Sequence, residues 1–261
     1  MRALAFLVWC FATLASPTAA DLLLYLDSDG ARYRGSELIQ SDQLIDCEKV
    51  WLADGRARLD KKYVTYILDK AAGRMLLIDH REKSYSVFDL PVDIMPLFDE
   101  GTRKQIGTLD EKIEVEKSAL ADEEQVGRWK VRGYHVVATA NGSVPKQLID
   151  ATYWVSETTP PELALYKEIM ASRDALSPTT SQWMDEIHGL EGMIVRWTKK
   201  RLRDGGVTEV VTQTLTSILE VEPEEGRFSP PGDYEHVPVD PASFFYAGPP
   251  KKYLGGPRPK P

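Results

Sequence analysis

Between Cys47 and Pro91 the chain reads CEKVWLADGRARLDKKYVTYILDKAAGRMLLIDHREKSYSVFDLP, and its apolar residues come in short runs that alternate with polar ones. Alternation with a period of two sends successive side chains to opposite faces of an extended strand, a pattern that no helix can satisfy. The runs fall at about 45–53, 55–60, 62–69, 74–79 and 84–89. The connections between them carry turn chemistry. Asp54-Gly55 suits a two-residue hairpin whose central positions need positive φ, Lys61-Lys62 is polar, and KAAG at 70–73 ends in glycine. This segment is therefore predicted to be an antiparallel meander. That prediction bears on Asp79, His80, Arg81 and Glu82, which stand side by side and resemble an acid–base cluster. In a meander they form the turn between two strands, where charge is solvated freely and no pocket wall tunes a proton acceptor.

The remainder extends the pattern. Strands are expected at about 111–118, 129–140, 147–156, 191–203 and 206–221, with ANGSVP at 140–145 and Asp204-Gly205-Gly206 as turns. After Pro91, MPLFDEGTRKQIG suggests one helical turn and a loop. The period changes at Pro160-Pro161, a good helix start, where PPELALYKEIMASRD puts Leu163, Tyr166, Ile169 and Met170 on one stripe. SPTTSQWMDEIHG gives a second helix, with Thr180 or Ser181 as cap and Gly189 as stop. The fold class is mainly β with a helical insert (α+β): a curved antiparallel sheet or incomplete β-barrel covered by one or two helices. One such domain is expected over residues 21–240, with the insert at about 161–188. In strand 191–203, Met193, Val195 and Trp197 are expected to point inward and Ile194, Arg196 and Thr198 outward; Trp154 shares a face with Leu148, Asp150 and Thr152.

The ends differ in kind from the body. Arg2, an uncharged run from Leu4 to Leu14, and small residues with Thr18 and Ala20 before Asp21 form the three parts of a secretory signal peptide. The run is too short to span a bilayer, so no transmembrane segment is expected. Cys10 lacks a small residue before it and is not expected to be lipidated. Removal of residues 1–20 leaves Cys47 alone, so no internal disulfide is expected in the secreted or periplasmic chain. The 241 residues that remain carry 31 basic and 40 acidic side chains, a net charge of −9. That balance argues against nucleic acid as a partner. From Pro241, PASFFYAGPPKKYLGGPRPKP is too rich in proline and glycine for either regular element and reads as a disordered, basic tail.

No catalytic constellation is evident. His80, His135, His188 and His236 do not pair at metal-ligand spacing, and HExxH, CxxC, a nucleophile elbow and a phosphate loop are all missing. DEIHG at 185–189 places Asp185 and His188 on one helical face, as a surface pair or helix end does. No cofactor or metal is expected. The aromatic residues on strands are the remaining resource. Either they are ordinary core, or Trp51, Tyr66, Tyr85, Trp154 and Trp197 line a concave face as a site for an apolar ligand.

The order of motifs resembles that of an uncharacterised family of bacterial secreted proteins. Arg58, Gly73, Asp79, Lys83 and Tyr85, then VGRWKVRGYHVV, ATYWVS, LEGMIVRW, VTQTLTSIL and FSPPGDYE carry the resemblance, from about residue 45 to 236. That family is similar in shape to periplasmic lipoprotein carriers and outer-membrane lipoprotein receptors. The resemblance implies a β half-barrel and a periplasmic or secreted location, and suggests a lipid, a lipoprotein acyl chain or an apolar peptide as ligand. It implies no catalytic residue. An envelope scaffold with a fully packed barrel, or a hydrolase, is the alternative. The chain is expected to act as a monomer.

Overall fold

The structure is a computed structural model that describes residues 20–34, 36–110, 112–140, 147–177 and 181–241. The leader through Ala19 with Cys10, the side chain of Cys47, the turn at 141–146, Thr180 and the tail from Ala242 lie outside the described residues.

The alternating stretches build one twelve-stranded sheet. A long hairpin of β1 (Asp21–Arg34) and β2 (Glu37–Ala53) leads into four short strands, β3 (Arg56–Asp60), β4 (Val64–Asp69), β5 (Arg74–Asp79) and β6 (Ser84–Asp89). After α1 (Glu100–Asp110) come β7 (Ile113–Val126), β8 (Trp129–Ala140) and β9 (Gln147–Ser156). Two helices follow, α2 (Ala164–Asp174) and α3 (Ser181–His188), then β10 (Ile194–Arg203), β11 (Gly206–Val221) and the two-residue β12 (Glu235–His236). The strand order is β12-β6-β5-β4-β3-β2-β1-β11-β10-β9-β8-β7, a linear order with two edges. Each meander pairs sequential neighbours. β1 joins the two by pairing with β2 on one side and β11 on the other, all antiparallel. Among the described strands, only the short β12 runs parallel to its partner, β6.

One face carries most of the core. Leu22, Leu24 and Leu26 stand opposite Leu52, Val50 and Glu48, and β3 and β4 continue the row with Ala57 and Leu59 facing Leu68 and Tyr66. Leu163, just before α2, and Tyr166 and Ile169 of α2 belong to the same apolar cluster as Leu24, Val50, Leu59 and Leu68. Ile169 and Leu24 are fully buried, each worth about 1.5–3 kcal/mol relative to an exposed side chain. A second cluster joins Trp183 and Ile187 of α3 to Val136, Ala151, Tyr153 and Val155 of β8 and β9. On the opposite face, Ile67, Leu76 and Ile78 pack with Tyr85, Val87, Phe228 and Tyr234, so the segment after β11 lies against that side.

Three expectations need correction. Residues 100–110 form an eleven-residue helix, not one turn and a loop. Its start was legible: the Asp99 side chain accepts the Thr102 backbone N–H at 2.8 Å, as an N-cap does. Strand β7 continues to Val126, well past residue 118, and is exposed along most of its length. An edge strand with so little to bury has no apolar alternation to reveal it. Finally, β10 starts at Ile194 and is bulged at Val195, because Ile194 faces Val155 while Arg196 faces Trp154. The extra residue resets the alternation. Ile194 therefore shares the face of Trp197 and Tyr153, and Arg196 shares the face of Trp154.

Candidate functional site

A cavity of about 130 Å3 lies where α2 and α3 meet β9 and β10. Sequence spacing explains what lines it. On α2, Tyr166, Met170, Arg173 and Asp174 stand at i, i+4, i+7 and i+8, one helical stripe. The next helix, α3, contributes Trp183, Ile187 and His188, at i, i+4 and i+5. From the sheet come Tyr153, Ile194, Trp197 and Lys199, all on one side once the bulge has set the register. Aromatic and aliphatic side chains line much of it, Lys167 Nζ donates to the Leu190 carbonyl at 2.7 Å, and Arg173, Asp174, His188 and Lys199 form a charged end.

That end is a chain of ion pairs. Arg173 holds Asp174 at 2.6 Å, and His188 Nε2 lies 3.2 Å from the other Asp174 oxygen. Across the sheet face, Lys61 pairs with Glu48 at 2.7 Å, and Arg173 Nη1 is 3.9 Å from Glu48 Oε2. Glu48 Oε2 is buried and has no hydrogen-bond partner among the described residues. Burial works against the charge of Arg173, but Asp174 and Glu48 outweigh it and hold the guanidinium firmly protonated. Burial likewise opposes ionisation of Asp174, yet Arg173 and the His188 hydrogen bond keep its carboxyl below the usual range. Tyr66, Tyr153 and Tyr166 are all pushed up, chiefly by burial, and stay neutral phenols.

Lys199 differs from these groups. Burial first, then Arg201 and Arg173, push its ammonium down to about 8, while Glu209 and Asp174 oppose only weakly. Its ammonium sits 5.2 Å from the centre of the Trp197 ring. Lys199, Trp197, Arg173 and Asp174 also border a second recess of about 360 Å3, which continues to Ser28, Glu48, Lys61, Glu209 and Gln213. At the seam, Trp197 Nε1 donates to Gln213 Oε1 at 3.1 Å, and Gln213 Nε2 donates to Ser28 Oγ at 3.0 Å. The arrangement offers an apolar chamber with a polar, cationic mouth. Most of its charges are locked in pairs, and among the described residues no group of three or more His, Cys, Asp or Glu could hold a metal ion.

The five aromatic residues singled out in the sequence do not share a site. Tyr66 lies on the core face near Arg173, and Trp197 lines the cavity. Trp51 is on the opposite face, where Arg227 stacks over its ring at 4.1 Å and Asp60 accepts its indole N–H at 3.0 Å. Tyr85 packs against His236 on that same side, with ring centres 5.2 Å apart. Trp154 points away from Tyr153 and carries Arg196 at 3.9 Å over its ring. The residues the sequence did not single out as a site are Tyr153, Arg173, Asp174, Trp183 and Lys199. The only hint was a helical stripe that turned from apolar to charged at Arg173-Asp174.

The histidines also found partners that spacing did not suggest. His188 pairs with Asp174 of the preceding helix, not with Asp185. His80 does sit in the β5–β6 turn, as expected, but it is not a free, solvated tip. Thr65 Oγ1 donates to Asp60 at 2.7 Å and lies 2.9 Å from His80 Nε2, so that nitrogen is the donor. His80 Nδ1 lies 3.0 Å from the Tyr234 hydroxyl.

No family model matches the chain, and no curated protein matches it. Among solved structures, one described as PNGF-II in the P21 space group aligns over 87% of this chain and 33% of its own, at 8% identity and a TM-score of 0.38. The chain thus spans about a third of the length of that protein. So weak a likeness leaves fold and site to be argued from geometry. Among the described residues no helix is long and apolar enough to cross a membrane.

Proposed function

We propose that the chain is a non-catalytic, secreted or periplasmic binding protein whose sheet curves as a half-barrel around α2 and α3. The ligand it takes has an apolar body that enters the chamber between those helices and β9–β10. The observation that carries this reading is the 130 Å3 cavity itself, lined by Tyr153, Trp183, Ile187, Met193 and Trp197. A well-packed interior leaves few voids larger than water, and an apolar cavity of about 150 Å3 is known to admit benzene. Curvature is supported by a single apolar cluster that combines Leu59 and Leu68 with Val126 and Val131, residues far apart in strand order.

Size narrows the ligand. A larger recess, about 1010 Å3, lies at the start of α2 beside Leu22, Leu52 and Ile218. Leu163 at that recess, Tyr166 at the smaller cavity and Ile169 of the same helical segment are all buried. The helix fills the middle of the concave face, so a long acyl chain has no continuous tunnel to follow. A single ring or short alkyl group fits the cavity as it stands. The same packing favours a second reading, an envelope scaffold whose interior holds nothing.

Native mass spectrometry of the chain purified from a bacterial periplasm distinguishes the two. The binding reading expects a co-purifying small apolar molecule that is lost when Met184 at the cavity wall is replaced by Trp. A clean apo mass, with no mass added by short aromatic probes, supports the scaffold.

A further inference from the structure

We propose that Lys199 is the anchor for a monoanionic head group, so that the ligand is an amphiphilic carboxylate with its apolar end against Trp183 and Trp197. This deepens the binding reading above and rests on it. The charges that border the two recesses meeting at Lys199 leave its ammonium without a counter-ion. Every carboxylate near the ammonium is already engaged by another cation. On β11, Glu209 is held by Arg32 at 3.4 Å and by Arg201 at 3.3 Å. On α2, Asp174 is held by Arg173 and by His188 of α3. On β2, Glu48 is held by Lys61, which follows β3, with Arg173 beyond it. Among the described residues no ion pair forms at Lys199, whose contact is with the face of Trp197.

An unpaired ammonium in a half-buried apolar setting is costly unless a counter-ion completes it. Its neighbours sharpen the point. Arg201 and Arg173 both repel the charge, and burial adds to that effect. One cation without a partner calls for one negative charge. A dianionic phosphate would leave surplus charge beside Asp174 and Glu209, whereas a carboxylate balances the site. Position agrees with charge, because Lys199 stands where the apolar chamber opens into the polar recess. A carboxylate paired there puts its hydrocarbon in the chamber and its oxygens towards Gln213 and Ser28.

The test compares 3-phenylpropionate with its neutral analogue 3-phenylpropan-1-ol by isothermal calorimetry, on the wild type, Lys199→Met and Lys199→Arg. At pH 7 the acid is expected to bind the wild type about ten-fold or more tightly than the alcohol, as a desolvated charge-assisted pair should. That advantage should shrink between pH 7 and 10 as Lys199 loses its proton. Lys199→Met should abolish it, so that acid and alcohol bind this variant alike. Lys199→Arg should keep it at pH 7 and carry it unchanged to pH 10, because a guanidinium does not titrate there. Equal binding of acid and alcohol, or an acid preference that survives Lys199→Met, overturns the anchor and leaves the cavity reading standing. If neither probe binds any form, both fall.

Discussion

Replacing Lys199 with Met should stabilise the protein at neutral pH, although it deletes a charged residue with several charged neighbours. The ammonium falls from an ordinary value of 10.5 to about 8 in the folded chain. Each unit is worth about 1.4 kcal/mol, so the ceiling on the cost of keeping Lys199 charged is about 3.4 kcal/mol. The side chain is only half-buried, and solvent screening brings the expected gain to about 1–2 kcal/mol. The pH dependence has a definite sign. Below about pH 8 both the folded and unfolded chains carry the proton, and the folded chain bears the full penalty. Between pH 8 and 10.5 the unfolded chain binds more protons than the folded one, so wild-type stability rises with pH through that window. The variant lacks this rise, and its advantage should fall by roughly half or more between pH 7 and 9.5. Urea unfolding followed by tryptophan fluorescence at the two pH values measures it. A Met variant less stable than wild type by the same amount at both values would show that Lys199 is well paired, and would refute the reasoning.

Three further outcomes are expected. His80→Ala should cost about 1–2 kcal/mol in urea unfolding, because it removes partners from both Thr65 and Tyr234; a loss under about 0.5 kcal/mol would return the turn to the solvated class. Gly192→Ala should cost about 2–5 kcal/mol in thermal unfolding, since Gly192 has φ of +98° and a Cβ there would collide with the Ser156 carbonyl oxygen; an unchanged midpoint would contradict it. N-terminal sequencing of exported protein should begin at Asp21, the first residue of β1, whose carboxylate is buried against Arg227 at 2.8 Å; a mature chain still starting at Met1 would overturn the export reading.

How much of this was legible depended on whether local chemistry or long-range pairing decided it. Strands β5, β6, β8, β9 and β11 fall at the expected bounds, because Gly or a polar cluster marks a turn beside each of them. Both helices of the insert announced themselves by spacing. The bulge at Val195 had no sequence mark, yet it moved Ile194 to the cavity side and divided the strand's faces differently. Trp51 and Tyr85 read as pocket residues on aromaticity alone. Which face of the sheet they occupy depends on strand register, and the segment carrying Arg227, Phe228 and Tyr234 covers that face. The site's charged end was the hardest part to foresee. Glu48, Arg173, Asp174 and Lys199 come from β2, α2 and β10, and only the strand order brings them together.

The most direct test of ligand entry is a titration of the indole N–H resonances with 3-phenylpropan-1-ol. Trp183 and Trp197 line the cavity, while Trp51 and Trp154 stack beneath Arg227 and Arg196 elsewhere. The account predicts that the Trp183 and Trp197 signals move together and saturate at one equivalent while those of Trp51 and Trp154 stay in place. Static Trp183 and Trp197 signals, or movement confined to Trp51, Trp129 and Trp154, would contradict it.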